Sequence, residues 1–358
     1  MADPILSLLA AYPGEYRQQL ISELYNALRF DQEGITVIPG VKNKLNLHKF
    51  LVEDGAKPYT GNFVAKDDLS FVPRVLEVEP VQRDLLVEPK KYLPTFMAKM
   101  RRKGEDAKNM DIPFAEFMWN AVLKSLSTEI NLNTVYRGVG KAAFAAYGAG
   151  TVYNPGDLIT FTQNGELRYF ENVTVTVAGQ SPDTHPAKWK WAGARAVTKG
   201  LGKIIGDEIT ALNVAPVVTG AVSAANAYDK TMLVYRSLPE PIKMGEAGQA
   251  LVYQSMTDYE FTMDHYESSV SKNFETINGI TYLAKTEKRC GLKPVSWLSG
   301  SRRMIASVEG NLVAGTDEFS DMNVIKTIEQ MYKIEAGITF VLGMQIQDLE
   351  VLRVSDQA

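Results

Sequence analysis

The sequence predicts a mixed α+β chain: a helical arm and a long extended loop come first, then a body with a small all-β module set into it. Three observations carry that prediction. The run from Asp111 to Asn131 keeps a helical apolar period. Strand-like segments gather after Gln249, with helical segments before and among them. Between residues 151 and 192 short strands alternate with turn signals, and helical patterns lie on both sides.

Composition sets the outer limits. The chain has 358 residues, 45% of them hydrophobic and 22% charged, which is ample for a sizeable buried core and typical of a folded protein. The formal net charge is −4, so no global positive field draws in nucleic acid. That argues against a protein that reads DNA or RNA, but not against one that encloses DNA. Cys290 is the single cysteine, which excludes an intrachain disulfide and a multi-cysteine zinc site. His48, His185 and His265 lie far apart in sequence, so a histidine cluster would need folding to assemble it. The start, MADPILSLLAAYPGEYRQQL, has no basic leader region, and its apolar run Ile5–Ala11 is too short to span a bilayer. The expectation is an unanchored protein folded in a cytoplasm-like compartment.

Each element has its own signal. In GEYRQQLISELYNALRF, residues 14–30, Tyr16, Leu20, Leu24 and Leu28 repeat near a helical period, giving an amphipathic arm that needs another surface. Residues 35–72 lose that period and carry β-branched and aromatic residues around the turn-rich EDGAKPYTGN. This reads as two extended arms too polar to form a core of their own. In RVLEVEP, Leu76 and Val78 alternate with Glu77 and Glu79, the pattern of a half-exposed strand. Asp111 and Pro113 start the long helix, with Phe114, Phe117, Met118, Ala121 and Val122 expected on its apolar face and Leu126 and Ile130 continuing it. At 1.5 Å per residue it is roughly 30 Å long. In the 151–192 stretch NPGD, QNGE and GQSPDTHP mark turns. Helices are expected over ARAVTKGLGKIIGDEITALNV, SAANAYDKTMLVYRSLPE and TDYEFTMDHYESSVSKNF, and strands over QALVYQSM, GITYLAK, RRMIASV, NLVAG and the terminal MNVIKTIEQMYKIEAGITFVLGMQIQDLEVLRV.

Candidate chemistry is sparse. GVGKAAFAAYG at Gly138 lacks the Walker pattern, since Val135 and Ala142 stand where a glycine and a Ser or Thr belong. GLGKIIG at Gly200 has Ile205 in place of the third glycine of a dinucleotide loop. Both are better read as small residues in close packing. Cys290 sits in KRCGLKP, where positive charge could lower its pKa, but no base is near in sequence. Asn172-Val173-Thr174 matches a glycosylation triplet. NLVAGTDEFSD places Gly315, Asp317, Glu318 and Asp321 close together, but not at calcium-loop spacing, so a strand-ending turn is expected there.

The order of these features resembles the major capsid protein family of tailed bacteriophages, whose shell-subunit fold is shared with herpesvirus capsids. RVLEVEPVQRDLLVEPKKYLPTFM followed by IPFAEFMWNAVLKSLSTEINLNTVYRG is similar to the family's strand and spine helix. GLGKIIGDEITALNVAPVVTGAVSAANAYDKTMLVYRSLPE resembles its axial-domain helices, and SRRMIASVEGNLVAGTDEFSD its return to the peripheral domain. The resemblance implies an N-terminal arm (1–34), an extended loop (35–72) and a peripheral domain (73–150, spine helix 112–131). It further implies an axial domain (193–315) and return strands of the peripheral domain (316–358). The loop, with Asp54, Gly55, Lys57 and Tyr59 at its tip, would lie across a neighbouring subunit. Such a protein is a non-enzymatic virion component, assembled in the host bacterial cytoplasm into hexamers and pentamers around double-stranded DNA. Its partners would be its own copies, a portal protein and scaffolding or decoration proteins, and no cofactor or metal is implied. Some members join subunits by Lys–Asn bonds, a chemistry not carried over to Lys49 or Lys57. The 151–192 insertion resembles small chitinase-type carbohydrate-binding modules, with Tyr153, Tyr169 and Trp189 in matching places, although Glu171 and Asn172 replace the exposed aromatic pair. That likeness supplies the rival reading, a phage-surface adhesion protein that binds glycan through the insertion.

Overall fold

The computed structural model describes residues 11–14, 16–51, 70–88, 91, 111–245, 248–283, 286–317, 324–330 and 333–357. Helix α1 (Arg17–Leu28) leads to strands β1 (Thr36–Ile38), β2 (Lys44–Leu51), β3 (Ser70–Glu77) and β4 (Glu79–Val87), then helix α2 (Asp111–Asn133). Strands β5 (Ala145–Ala146), β6 (Leu158–Gln163), β7 (Glu166–Asn172) and β8 (Trp189–Trp191) follow. Next come α3 (Leu201–Thr210), α4 (Ala227–Arg236), β9 (Ala250–Gln254) and α5 (Met256–Ser269). The chain continues through β10 (Phe274–Ile277), β11 (Ile280–Leu283), β12 (Cys290–Pro294), β13 (Ile305–Val308) and β14 (Leu312–Gly315). It closes with β15 (Val324–Glu329), β16 (Ile334–Ile346) and β17 (Arg353–Val354).

The body is organised by β16, thirteen residues long. Its first nine residues pair antiparallel with β4 on one side, from Ile334↔Val87 to Leu342↔Glu79, and its first six with β15 on the other. Its far end pairs with β14, which carries β1 as a parallel neighbour. Ile334, Ala336, Ile338 and Phe340 point inward, where α1 and α2 cover them with Leu20, Leu24, Trp119, Leu123, Leu126 and Ile130. Each such aliphatic side chain taken from water contributes about 1.5–3 kcal/mol. The Asn131 side-chain amide donates to Leu28 O at 3.0 Å and fixes α1 along α2. The buried stripe of α2 therefore runs through Trp119, Leu123, Leu126 and Ile130 and is rotated from the expected face. Phe117 is 47% exposed, and Ala121 faces solvent.

A second sheet has the order β10-β11-β12-β9-β13-β17, with β9 and β12 parallel. Every residue of β9 is buried, because both faces are covered. Tyr228 and Met232 of α4 and Tyr266 of α5 pack on Val252 and Leu292 on one face. Leu251, Tyr253 and Ile305 join the body's core on the other. The last strand, β17, pairs with β13 in this sheet and not with the body strands β14–β16.

Strands β2 and β3 form a two-stranded ribbon of eight pairs, Lys44↔Glu77 to Leu51↔Ser70. Strands β5 to β8 form a small sheet with its own aromatic core. That sheet begins before residue 151 and packs Phe144 and Tyr147. The continuous helix expected over 194–214 is broken. A turn at Gly193–Ala196 and helix α3 are separated by residues 197–200, which the chain uses for a crossing.

Candidate functional site

Two backbone crossings position the parts of this chain that reach beyond its core. The first lies at the root of the β2–β3 ribbon. A two-stranded ribbon is marginal in water unless its base is anchored. Here Val41, Leu47, Leu76 and Val78 pack on Val313 of β14 and Val341 of β16. That contact requires the 77–78 backbone to lie directly over β16. A Cβ on Gly343 would sit 2.0 Å from Glu77 O and 3.0 Å from Val78 Cα. On the paired residue Gly315 it would be 2.9 Å from both Leu76 Cδ2 and Val78 Cγ1. The alternation of β16 stops here for the same reason. Phe340, Val341, Leu342 and Met344 are all buried, some against the helices and some against the ribbon root.

Arg74 locks the crossing. Its Nε donates to Ile346 O at 2.7 Å, and Nη2 donates to Gln345 Oε1 at 3.1 Å and to Glu208 Oε1 at 2.8 Å. Burial pushes the Glu208 carboxyl up, but hydrogen bonds from Asn213 and Arg74 outweigh it and hold the group below its usual range. One side chain thus joins β3, the end of β16 and α3. No motif marked Arg74 in the sequence. Gly343 did leave a signal, an isolated glycine inside a strand pattern.

The stretch Gly315–Asp317 belongs to this crossing. Thr316 N donates to Ile38 O, and Val41 N donates to Thr316 O, both at 3.1 Å, so the segment runs on as a bonded strand end. Asp317 is buried, and Glu318 and Asp321 lie outside the described residues. Among the described residues no group of three or more His, Cys, Asp or Glu side chains is placed to hold a metal.

The second crossing joins the small sheet to the body, and it is built from the two glycine motifs. Gly200 N donates to Gly138 O at 3.0 Å, Leu201 N to Val135 O at 2.8 Å and Gly202 N to Tyr136 O at 3.0 Å. A Cβ on Gly138 would lie 2.5 Å from Thr134 O and from Thr198 O, and one on Gly200 would lie 2.5 Å from Thr134 O. GVGK and GLGK are therefore one another's packing partners, and that close approach is what their glycines serve. Glu171 of β7 ties the sheet down through Arg195 at 2.8 Å and Arg137 at 3.6 Å. An open groove of about 510 Å³ runs between the two crossings, with Glu77 and Glu79 on one wall and Lys141 and Lys199 on the other.

The aromatic residues proposed for sugar stacking do not form a platform. Tyr153 is 7% exposed and Trp189 6%, with ring centroids 5.3 Å apart inside the core of the small sheet. Their polar atoms are used internally: Gly148 N donates to Tyr153 Oη at 2.7 Å, and Trp189 Nε1 donates to Gln180 O at 3.1 Å. Tyr169 is half-buried edge-on against Phe144. A module this small has few other large side chains with which to fill its centre, so its aromatics become the core. Asn172 of the glycosylation triplet is also buried. The exposed aromatic there is Trp191, which sequence reasoning passed over, and the Arg168 guanidinium lies 5.7 Å from its centroid.

The remaining candidates occupy separate places. Cys290 is fully buried on β12, and burial, not the positive charge of its neighbours in sequence, sets its thiol, pushing it well above the ordinary range, as the inert reading requires. His265 Nδ1 accepts from Tyr228 N at 3.3 Å, His185 contacts Thr184 Oγ1, and His48 sits on β2. Asp54, Gly55, Lys57 and Tyr59 lie outside the described residues, and Lys49 sits on β2 opposite Val72. No helix among the described residues is long and apolar enough to cross a membrane.

No protein-family model and no curated protein sequence matches this chain. Solved structures do. A chain of the satellite phage P4 procapsid, solved with the size determination (Sid) protein, is similar with a TM-score of 0.53 at 13% identity. The match covers 95% of this chain and 90% of that one. The capsid of an empty GTA particle is similar at 0.46 and 9% identity, covering 92% and 89% of the two chains. The capsid of Myoviridae phage XM1 is similar at 0.43 and 12% identity, covering 92% and 91%. The first of these likenesses establishes the fold: over nearly its whole length the chain has the α+β fold of a phage capsid shell protein.

Proposed function

We propose that this protein is a major capsid protein, whose copies assemble through hexamers and pentamers into an icosahedral shell around double-stranded DNA. The observation that carries the reading is the span of the procapsid likeness, which covers 95% of this chain and 90% of the other. Little is left over on either side to serve a different task. Shell assembly is many modest contacts repeated by symmetry, so stability comes from the lattice and not from any one tight site. The two anchored crossings fit that task. The ribbon β2–β3 is held firmly at its root by Gly315, Gly343 and Arg74 and pairs strand to strand out to Leu51 and Ser70. A neighbouring subunit would supply the missing surface, with Asp54, Gly55, Lys57 and Tyr59 in that contact. The body sheet with α1 and α2 corresponds in this reading to a peripheral domain, the six-stranded sheet to an axial domain, and the small sheet to an inserted domain. Portal and scaffolding proteins would be its partners in a virion assembled in a bacterial host.

Negative-stain microscopy with analytical ultracentrifugation on the purified, untagged chain tests the reading. Shells, or rings of five and six subunits, are expected. A chain that stays monomeric with crowding agents and with its phage partner proteins would overturn it.

A further inference from the structure

The open groove between the two crossings has walls of opposite charge. Glu77 and Glu79 stand on one side, Lys141 and Lys199 on the other, and Val139 and Ile204 add apolar lining. All four charged residues are exposed. Among the described residues no ion pair joins one wall to the other. Glu77 pairs with Lys44 at 2.5 Å and Lys199 lies 4.0 Å from Asp207, while Glu79 and Lys141 enter no ion pair. Charge placed in this way selects a partner by sign and register. An occupant that fits must carry cations on one flank and anions on the other.

The chain holds such a segment. Arg101-Arg102-Lys103 is followed by Gly104 and then by Glu105-Asp106, so the sign of the charge changes across a single glycine. Glycine is a turn residue, and a turn there gives one basic arm and one acidic arm. Residues 92–110 lie outside the described residues, bounded by Lys91 and by Asp111 at the start of α2.

Reach decides whose groove the segment enters. Gly200 N donates to Gly138 O and Gly138 N donates to Thr134 O, so Lys199 sits by the C-terminal end of α2. From Asp111 to that end the helix spans about 34 Å. The chain from Asp106 to Asp111 covers at most about 18 Å. The segment's other end is remote as well. Val87 pairs with Ile334, at the opposite end of β16 from Met344 and Gln345, which also line the groove. The acidic arm therefore cannot meet the lysine wall of its own chain. We infer that the groove takes this segment from a second copy, with Arg101–Lys103 along Glu77 and Glu79 and Glu105–Asp106 along Lys141 and Lys199. Groove and segment are different parts of the surface, so the contact is head-to-tail. It rests on the shell reading proposed above, which supplies the neighbour.

Zero-length cross-linking tests it. Equal amounts of ordinary and heavy-nitrogen-labelled full chain are assembled together and treated with a carbodiimide, which joins a carboxylate to an amine only where the two touch. Digestion and mass spectrometry then identify the joined peptides. Links from Glu105 or Asp106 to Lys141 or Lys199, and from Lys103 to Glu77 or Glu79, are expected. Hybrid pairs of one light and one heavy peptide should be as abundant as the two same-label pairs together. Shells without these links overturn the contact and leave the shell reading standing. Same-label pairs alone show the segment on its own chain and overturn it too. Links from residues 52–69 to the lysine wall in place of these identify a different occupant and also overturn it. If the parent chain forms no shells, both readings fall.

Discussion

Replacing Gly343 with alanine should break the root of the β2–β3 ribbon. The new Cβ would lie 2.0 Å from Glu77 O, 2.8 Å from Glu77 C and 3.0 Å from Val78 Cα, all of them backbone atoms. A comfortable carbon–oxygen approach is about 3.3 Å, so one strand must move by roughly 1.3 Å. Strand β16 cannot yield cheaply, because Leu342 pairs with Glu79 and Gly343 with Gly315. Residues 77–78 must lift instead. Val78 would leave its buried place, and its N–H would strain the 2.9 Å bond to Asn43 O. Overpacking of this kind costs about 1–3 kcal/mol, and partial loss of Val78 burial adds about 1–2 kcal/mol. A total near 4 kcal/mol corresponds, for a chain of 358 residues, to a drop in Tm on the order of 5 °C. Gly337, six residues earlier in β16, is the control. A Cβ there meets Asp84 Oδ1 at an ordinary 3.5 Å, so Gly337→Ala should be neutral or stabilise by up to about 1 kcal/mol. Thermal unfolding followed by circular dichroism gives the stabilities. Amide exchange across Lys44–Leu51 and Ser70–Glu77 shows whether the ribbon is what loosens. If Gly343→Ala unfolds with Gly337→Ala and the ribbon amides stay equally protected, the close-approach reasoning is wrong.

Other outcomes follow from particular side chains. Arg74→Met leaves Glu208 with Asn213 but without its charge partner and should cost about 2–3 kcal/mol by urea unfolding at pH 7. Glu208 has a lowered folded pKa, so its contribution is present above its unfolded value of about 4.3 and is lost as pH falls below that. The gap between Arg74→Met and the parent should therefore narrow in acid, and a constant gap would refute the pairing. Asp356 is held below the ordinary carboxylate range by hydrogen bonds from the Gln357 and Thr219 side chains and from the Thr219 and Gly220 backbone. Asp356→Asn should speed amide exchange at Thr219 and Gly220, and so should acid in the parent chain, since stability from a depressed carboxylate fades as pH falls. Cys290 should resist thiol reagents in the folded chain and react once the second sheet is unfolded by denaturant, as a mass shift would show.

Local pattern determined a good deal about this protein. Leu20, Leu24 and Leu28 announced α1, and Asp111 with Pro113 announced the start of α2, because a helical period and a helix start are written into neighbouring residues. Strand-like runs became β9, β11, β13, β14 and β16 for the same local reason. The glycine motifs departed from phosphate-loop spacing on inspection. What those residues meet was decided only by the tertiary structure. Gly343 lies under a carbonyl 266 positions earlier, Gly138 lies under Thr198, and Arg74 reaches Ile346, Gln345 and Glu208. Residues of α2 that looked equally apolar divided into a buried Trp119 stripe and an exposed Phe117, and only the position of β16 settles which side faces in. Tyr153 and Trp189 look like sugar-stacking rings in sequence and are core in the fold, since whether an aromatic is covered depends on what else its module has to bury. Periodicity is a property of neighbours along the chain. Burial and close backbone approach are properties of residues hundreds of positions apart, and no local window contains both partners.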